Sequence, residues 1–257
     1  MPALDPAFLT TPIAHRALHD VAEGRPENSR AAIRAAIAHG YGIEIDLQLS
    51  HDGEAMVFHD ATLSRLTHAS GPVHERSAAE LGRLPLRGGE EAGECVPTLG
   101  EVLELVAGRV PVLVEVKDQD GFMGSNVGPL ERRAAELIAA YAGPIAVMSF
   151  NPYSIAEMAH FLPETPRGLT TDGYTAEDWP RLPPETRDRL RAIPDYERLG
   201  CSFISHNINH LDSPRVAELR ATGATVLCWT VTNPAQEAHA RPIAHNITFE
   251  KYLAAKP

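Results

Sequence analysis

Ile43-Glu44-Ile45-Asp46-Leu47-Gln48-Leu49, followed at once by Ser50-His51-Asp52-Gly53-Glu54, is the stretch whose reading decides the fold. Successive side chains of a strand point to opposite faces, so the aliphatic residues share one face and Glu44, Asp46 and Gln48 share the other. Asp52-Gly53 is a turn signal, and it leaves no room for a crossover helix before the next β-rich run, Met56 to His59. The two runs therefore read as a hairpin. With Asp52 and Gly53 as the two central turn residues, pairing backwards sets His59 opposite Asp46.

Working outward, β-rich runs recur between helical segments at Ile13-Ala14-His15, Val112 to Lys117, Ile145 to Phe150, Gly168 to Thr170, Phe203 to Ser205, Thr225 to Thr230 and Asn246 to Phe249. Once Met56 to His59 is set aside as the returning arm of the hairpin, eight strands remain. That number predicts a single (β/α)8 barrel of the TIM type, with a β-hairpin excursion after barrel strand 2. Residues 1–257 are expected to form one domain, with a short insertion at about 60–96. Helix signals fall between the strands. Asn28 reads as the N-cap of a helix over Ser29 to His39 that Gly40 stops, and Thr98-Leu99-Gly100-Glu101 is a capping-box pattern. Ser213-Pro214 opens a later helix that Gly223 ends. Thr175 to Pro194, rich in proline and charge, reads as a loop with short helical pieces after the fifth barrel strand.

The net charge of −11 carries no Lys/Arg-rich run, which argues against a nucleic-acid binder. An anionic substrate would need a local positive site. No apolar run is long enough for a transmembrane segment, and Met1 to Thr11 lacks the pattern of a secretory signal, so a cytoplasmic location is expected. Cys95, Cys201 and Cys228 lack the paired spacing of a zinc site and read as reduced, structural thiols.

Chemistry concentrates where the barrel pattern is broken by polarity. A barrel interior is normally filled by branched apolar side chains, so inward-facing Glu44 and Asp46 would repel and desolvate each other without a cation between them. Glu115 and Lys117 repeat the inward pattern on the next barrel strand, in Val112-Leu113-Val114-Glu115-Val116-Lys117. Three carboxylates without cysteine or paired histidine form a hard oxygen site suited to one divalent cation, Mg²⁺ or Ca²⁺. A glycosidase-like acid pair is the competing reading, since carboxyls two residues apart on a strand lie about 5–7 Å apart. Lys117 and two strand-end histidines weigh against it, because cleaving a sugar acetal needs none of them.

His15 and His59 each end an apolar run, which carries both to the mouth where barrel active sites lie. Two histidines flanking a substrate can divide the proton work of phosphodiester cleavage. Arg16 and Lys117 would complement the non-bridging phosphate oxygens, the arginine as a fork and the lysine as a point charge.

The ordered set Ala14-His15-Arg16, Pro26-Glu27-Asn28-Ser29, Glu44-Ile45-Asp46, Asp52-Gly53, His59-Asp60, Leu63-Ser64-Arg65-Leu66-Thr67, Pro97-Thr98-Leu99 and Glu115-Val116-Lys117 resembles the glycerophosphodiester phosphodiesterase family. The resemblance implies a PLC-like barrel, a divalent metal at Glu44, Asp46 and Glu115, acid/base roles for His15 and His59, and phosphate contacts from Arg16 and Lys117. It also implies hydrolysis of a small glycerophosphodiester to glycerol 3-phosphate and an alcohol. Another phosphodiester, such as a lysophospholipid, and a catalytically weakened phosphate-binding barrel are the alternatives. Trp229 is similar to the family's strand-end tryptophan beside the substrate's glycerol. Two places depart from the family pattern. Ala17 stands where glycine usually follows His-Arg, at a cost of about 1 kcal/mol if that position has positive φ. Ala244 to Glu250 replaces the usual Gly/Asp-rich last strand.

Overall fold

The computed structural model describes residues 2–256. Its strands are β1 (Ile13–Ala14), β2 (Gly42–Leu49), β3 (Ala55–Val57), β4 (Val112–Val116), β5 (Ile145–Ser149), β6 (Arg167–Thr171), β7 (Phe203–Asn207), β8 (Thr225–Val231) and β9 (Asn246–Phe249). They form one sheet in the order β1-β9-β8-β7-β6-β5-β4-β2-β3, and an additional β1–β2 pairing closes it. All ring pairings are parallel, and only β3 runs antiparallel, on β2 outside the ring. The molecule is the expected TIM-type barrel with a hairpin excursion.

The alternation read from the sequence sorts the side chains. Ile43, Ile45 and Leu47 of β2, with Val112, Val114 and Val116 of β4, pack in the main core against residues of the surrounding helices such as Ile33, Val102 and Ile155. Burying each such side chain contributes about 1.5–3 kcal/mol. Glu44, Asp46 and Glu115, one position out of phase, are buried on the opposite face. The lower lumen is apolar: Ile13, Leu113, Met148, Phe203 and Leu227 meet Phe8, carried by a short helix over Ala7–Thr10. Asn246 ties that plug to the barrel by donating to the carbonyls of Phe8 (2.7 Å) and Thr11 (2.6 Å).

The hairpin register differs from the expected one by a residue. Leu47 pairs with Val57 and Leu49 with Ala55, so Ser50 to Glu54 all lie outside the ladder and the turn is longer than two residues. Ser50 shapes it: its N–H donates to the Glu54 carbonyl (3.0 Å) and its hydroxyl accepts from the Glu54 N–H (2.8 Å). Phe58, whose N–H donates to the Asp46 carbonyl at 2.9 Å, thus stands where His59 was expected. Met56 and Phe58 face a second apolar cluster with Leu63, Val73, Leu81, Leu86 and Val96, which fills the segment between the hairpin and the helix over Leu99–Val106. Pairing ends at Val57, and His59 leaves the strand as coil with its carbonyl accepting from Gln48 Nε2 at 3.0 Å.

One cap is also corrected. Ser29, not Asn28, caps the helix over Arg30–His39, its side chain accepting from Ala32 N–H, and Gly40 at φ 62° stops it as expected. Asn28 is freed from helix duty, has φ 59°, and donates from Nδ2 to Asp46 Oδ2 at 2.9 Å. The capping box at Thr98 and the N-cap at Ser213 are as read. Thr175 to Pro194 holds one helix, Pro184–Arg191. The three cysteines are unbridged, and burial pushes the thiols of Cys201 and Cys228 up to about 12, so both stay protonated.

Candidate active site

At the C-terminal ends of the ring strands, Glu44, Asp46 and Glu115 converge. One carboxylate oxygen from each lies within 4.8 Å of the others, and all three residues are buried. Burial and then the neighbouring charges of Asp46 and Glu115 push the Glu44 carboxyl well above its usual range. Burial acts on Asp46 in the same direction, but the Lys117 ammonium, followed by His59, Arg16 and His15, holds it below the carboxylate range. Lys117 Nζ sits 2.7 Å from Asp46 Oδ1 and 2.6 Å from Glu115 Oε1. An ammonium has three N–H donors, so one remains for another partner. Burial alone would lower the Lys117 pKa, and the two carboxylates raise it instead.

A turn of two consecutive left-handed residues, Arg16 (φ 52°) and Ala17 (φ 64°), clasps Glu44. The Arg16 N–H donates to Glu44 Oε2 (2.8 Å) and the Ala17 N–H to the Glu44 carbonyl (3.0 Å). The positive φ suspected at Ala17 is therefore present, together with its steric cost, and the clasp is intact. Glu44 Oε1 is buried without a hydrogen-bond partner. An orphaned carboxylate oxygen in an all-oxygen cluster fits a hard divalent cation.

Two histidines flank the cluster. His59 Nδ1 lies 2.7 Å from Asp60 Oδ1, and Arg65 bonds both oxygens of Asp60 and both of Glu27. Glu27 in turn accepts from Arg16 Nη1 at 2.8 Å. Arg16 Nε stands 3.7 Å from Asp46 Oδ2 with no hydrogen-bond partner. His15 follows β1, and its Nδ1 lies 2.8 Å from Glu250 Oε2, just beyond β9. Burial lowers the His15 pKa, while the bond to Glu250 opposes that shift.

The far side of the mouth is aromatic. Trp229, near the end of β8, donates from Nε1 to the Ser205 carbonyl at 2.9 Å and meets Phe150 edge-on at 5.4 Å. Phe150 touches Trp179 at 5.1 Å, and Trp179 Nε1 donates to Asp172 Oδ2 at 2.8 Å.

The structure thus brings His15, Arg16, Glu44, Asp46, His59, Glu115 and Lys117 together, with Trp229 on the opposite rim. Sequence reasoning missed Asn28, Asp60, Arg65 and Glu27 as partners of these residues, although all four stood in the quoted motifs. The signal for Asp60 was its place directly after His59, and that for Asn28 its place directly after Glu27; Arg65, six residues beyond His59, had none.

A solved structure similar to this chain is a phosphodiesterase from Oleispira antarctica in complex with the product sn-glycerol-3-phosphate. It is 26% identical, has a TM-score of 0.78, and the match covers 96% of this chain and 94% of that one. Fold and site define a phosphoric diester hydrolase on a TIM-type barrel. The family model for the glycerophosphoryl diester phosphodiesterase family matches residues 15–246, and the chain belongs to that family. A glycerophosphodiester phosphodiesterase of Caldanaerobacter subterraneus subsp. tengcongensis is 34% identical over 176 residues, 66% of this chain and 70% of that enzyme. The glycerophosphodiester phosphodiesterase of Thermotoga maritima, 19% identical with a TM-score of 0.69 over 93% of this chain and 94% of that one, shares the fold. Among the described residues, no helix is long and apolar enough to cross a membrane.

Proposed function

We propose that the protein hydrolyses small glycerophosphodiesters to glycerol 3-phosphate and an alcohol, with a divalent cation, Mg²⁺ or Ca²⁺, held by Glu44, Asp46 and Glu115. The observation that carries this reading is the pair of carboxylate-anchored imidazoles, His15 and His59, flanking a buried carboxylate trio with one orphaned oxygen. When bound, the cation supplies charge neutralisation at the phosphodiester. Lys117, with its remaining N–H, and Arg16, with its unpartnered Nε, contact the non-bridging phosphate oxygens. One histidine takes the proton of the attacking hydroxyl through Nε2, and the other returns a proton to the departing alcohol oxygen. Water, or the substrate's own glycerol 2-hydroxyl, is the nucleophile. The second route passes through a cyclic phosphate and draws on the proximity of an intramolecular group. Trapping a cyclic product during slow turnover separates the two. Trp229 packs against the glycerol or the departing alcohol.

The half-buried aromatic rim of Phe150, Trp179 and Trp229 favours one second reading, in which a lysophospholipid is the substrate. Glycerophosphocholine and lysophosphatidylcholine assayed side by side, with chelator and metal add-back, test both. Release of choline from the first, lost with chelator and restored by Mg²⁺ or Ca²⁺, is expected; no release from either overturns the assignment.

A further inference from the structure

Glu250 lies in the last strand's departure from the family pattern, and no residue of the quoted motifs corresponds to it. It is half-buried at the end of β9, the strand that pairs with β1. Three groups converge on its carboxylate: His15 Nδ1 at 2.8 Å and His19 Nε2 at 3.5 Å, both from Oε2, and Lys251 Nζ at 3.1 Å from Oε1. The bond from His15, then the nearby His19 imidazole, hold Glu250 well below the usual carboxylate range, so it is ionised at neutral pH. An ionised carboxylate only accepts hydrogen bonds. At 2.8 Å the shared hydrogen must therefore sit on His15 Nδ1.

We infer that Glu250 is the positioning residue of His15, fixing the Nδ1–H tautomer and thereby directing Nε2 into the phosphate site. The inference rests on the acid/base role proposed for His15 and adds to it the group that makes the role possible. His15 needs such a hold. It follows a two-residue strand and precedes two left-handed residues, and the bonds that pin this backbone, among them His15 N–H to the Phe249 carbonyl (2.8 Å), leave the turn of the ring to Glu250. Removing the partner that orients a catalytic imidazole costs up to about 10⁴-fold in kcat when the wrong tautomer results. Proton transfer acts in the transition state and not on the bound substrate, so KM changes little. A purely structural tie between β9 and β1 would instead lower stability and leave the tautomer alone.

The test is nitrogen NMR of histidine-labelled, metal-loaded enzyme, with the His15 and His59 resonances assigned through H15N and H59N variants. In the wild type, His15 is expected to carry its hydrogen on Nδ1 when neutral; a hydrogen on Nε2 overturns the inference, whatever the variants do. Glu250→Ala is expected to move His15 toward the Nε2–H form, leave the His59 signal unchanged, and lower kcat about 10²–10⁴-fold with a nearly constant KM. Glu250→Asp should recover part of both the tautomer and the rate. Unchanged tautomer and kcat in Glu250→Ala also overturns it, and so does a melting-temperature loss without a tautomer change. Wild-type turnover of glycerophosphocholine is measured in parallel: its absence removes the proposed function, while the tautomer still decides the role of Glu250.

Discussion

His59 is steadied by the next residue in the chain, Asp60, whereas His15 is steadied by a carboxylate 235 positions away. The difference separates what local sequence can carry from what only the closed barrel supplies. Around His59 the hold is a dense network in which Asp60, Arg65, Glu27 and Arg16 link one histidine to the clasp of Glu44. Around His15 it is a meeting of the first and last strands, possible only once the ring closes between β1 and β9. A defect in the His59 arm should stay local, and one in the His15 arm should depend on closure.

The largest expected effect removes what both arms serve. Glu44→Gln should abolish binding of Mg²⁺ or Ca²⁺ in calorimetry and take activity with it; full activity without bound cation would dissolve the shared centre. Next, His59→Asn should keep cation binding and lower kcat by about 10²–10⁴-fold. Activity equal to wild type would sink the acid/base assignment. Smaller again, Arg65→Met strips Asp60 and Glu27 of their common partner and should lower kcat by about tenfold. Arg65 itself is nearly half exposed, so the loss of stability should stay at about 1 kcal/mol in urea titrations. If the rate does not move, the His59 arm is no more than surface charge. The smallest change is Ala17→Gly beside His15. Relief of the left-handed alanine should add about 1 kcal/mol and raise Tm by about 2–4 °C, read by calorimetry. A concurrent rise in kcat would mean that the strain reaches His15.

How much of this was legible follows the same division. The acid trio could be read because a parallel barrel strand has no solvated face, which leaves inward carboxylates few roles. Asp60 stood in plain view beside His59 and Arg65 six residues further on, and what they touch was hidden only by the folding of short loops. The hairpin register slipped by one because Asp52-Gly53 looks like a two-residue turn, while Ser50's hydroxyl builds a longer one. Asn28 was read as a cap because asparagine and serine both cap helices; the choice was made by Asp46, a distant residue that bonds Asn28. Glu250 registered only as a departure from a pattern, since nothing in a single sequence announces a partner across a closed ring. Phe8 gave no warning at all, for a helix as short as Ala7–Thr10 has no periodicity to detect.

That buried phenyl ring makes the barrel a well with one opening. With Phe8 fully enclosed among Ile13, Leu113, Met148, Phe203 and Leu227, the floor passes neither water nor product. Every molecule that enters must leave by the way it came, past the same aromatic rim. Two fragments formed at the C-terminal mouth therefore share one exit. Traffic through this single doorway runs beside Phe150, Trp179 and Trp229.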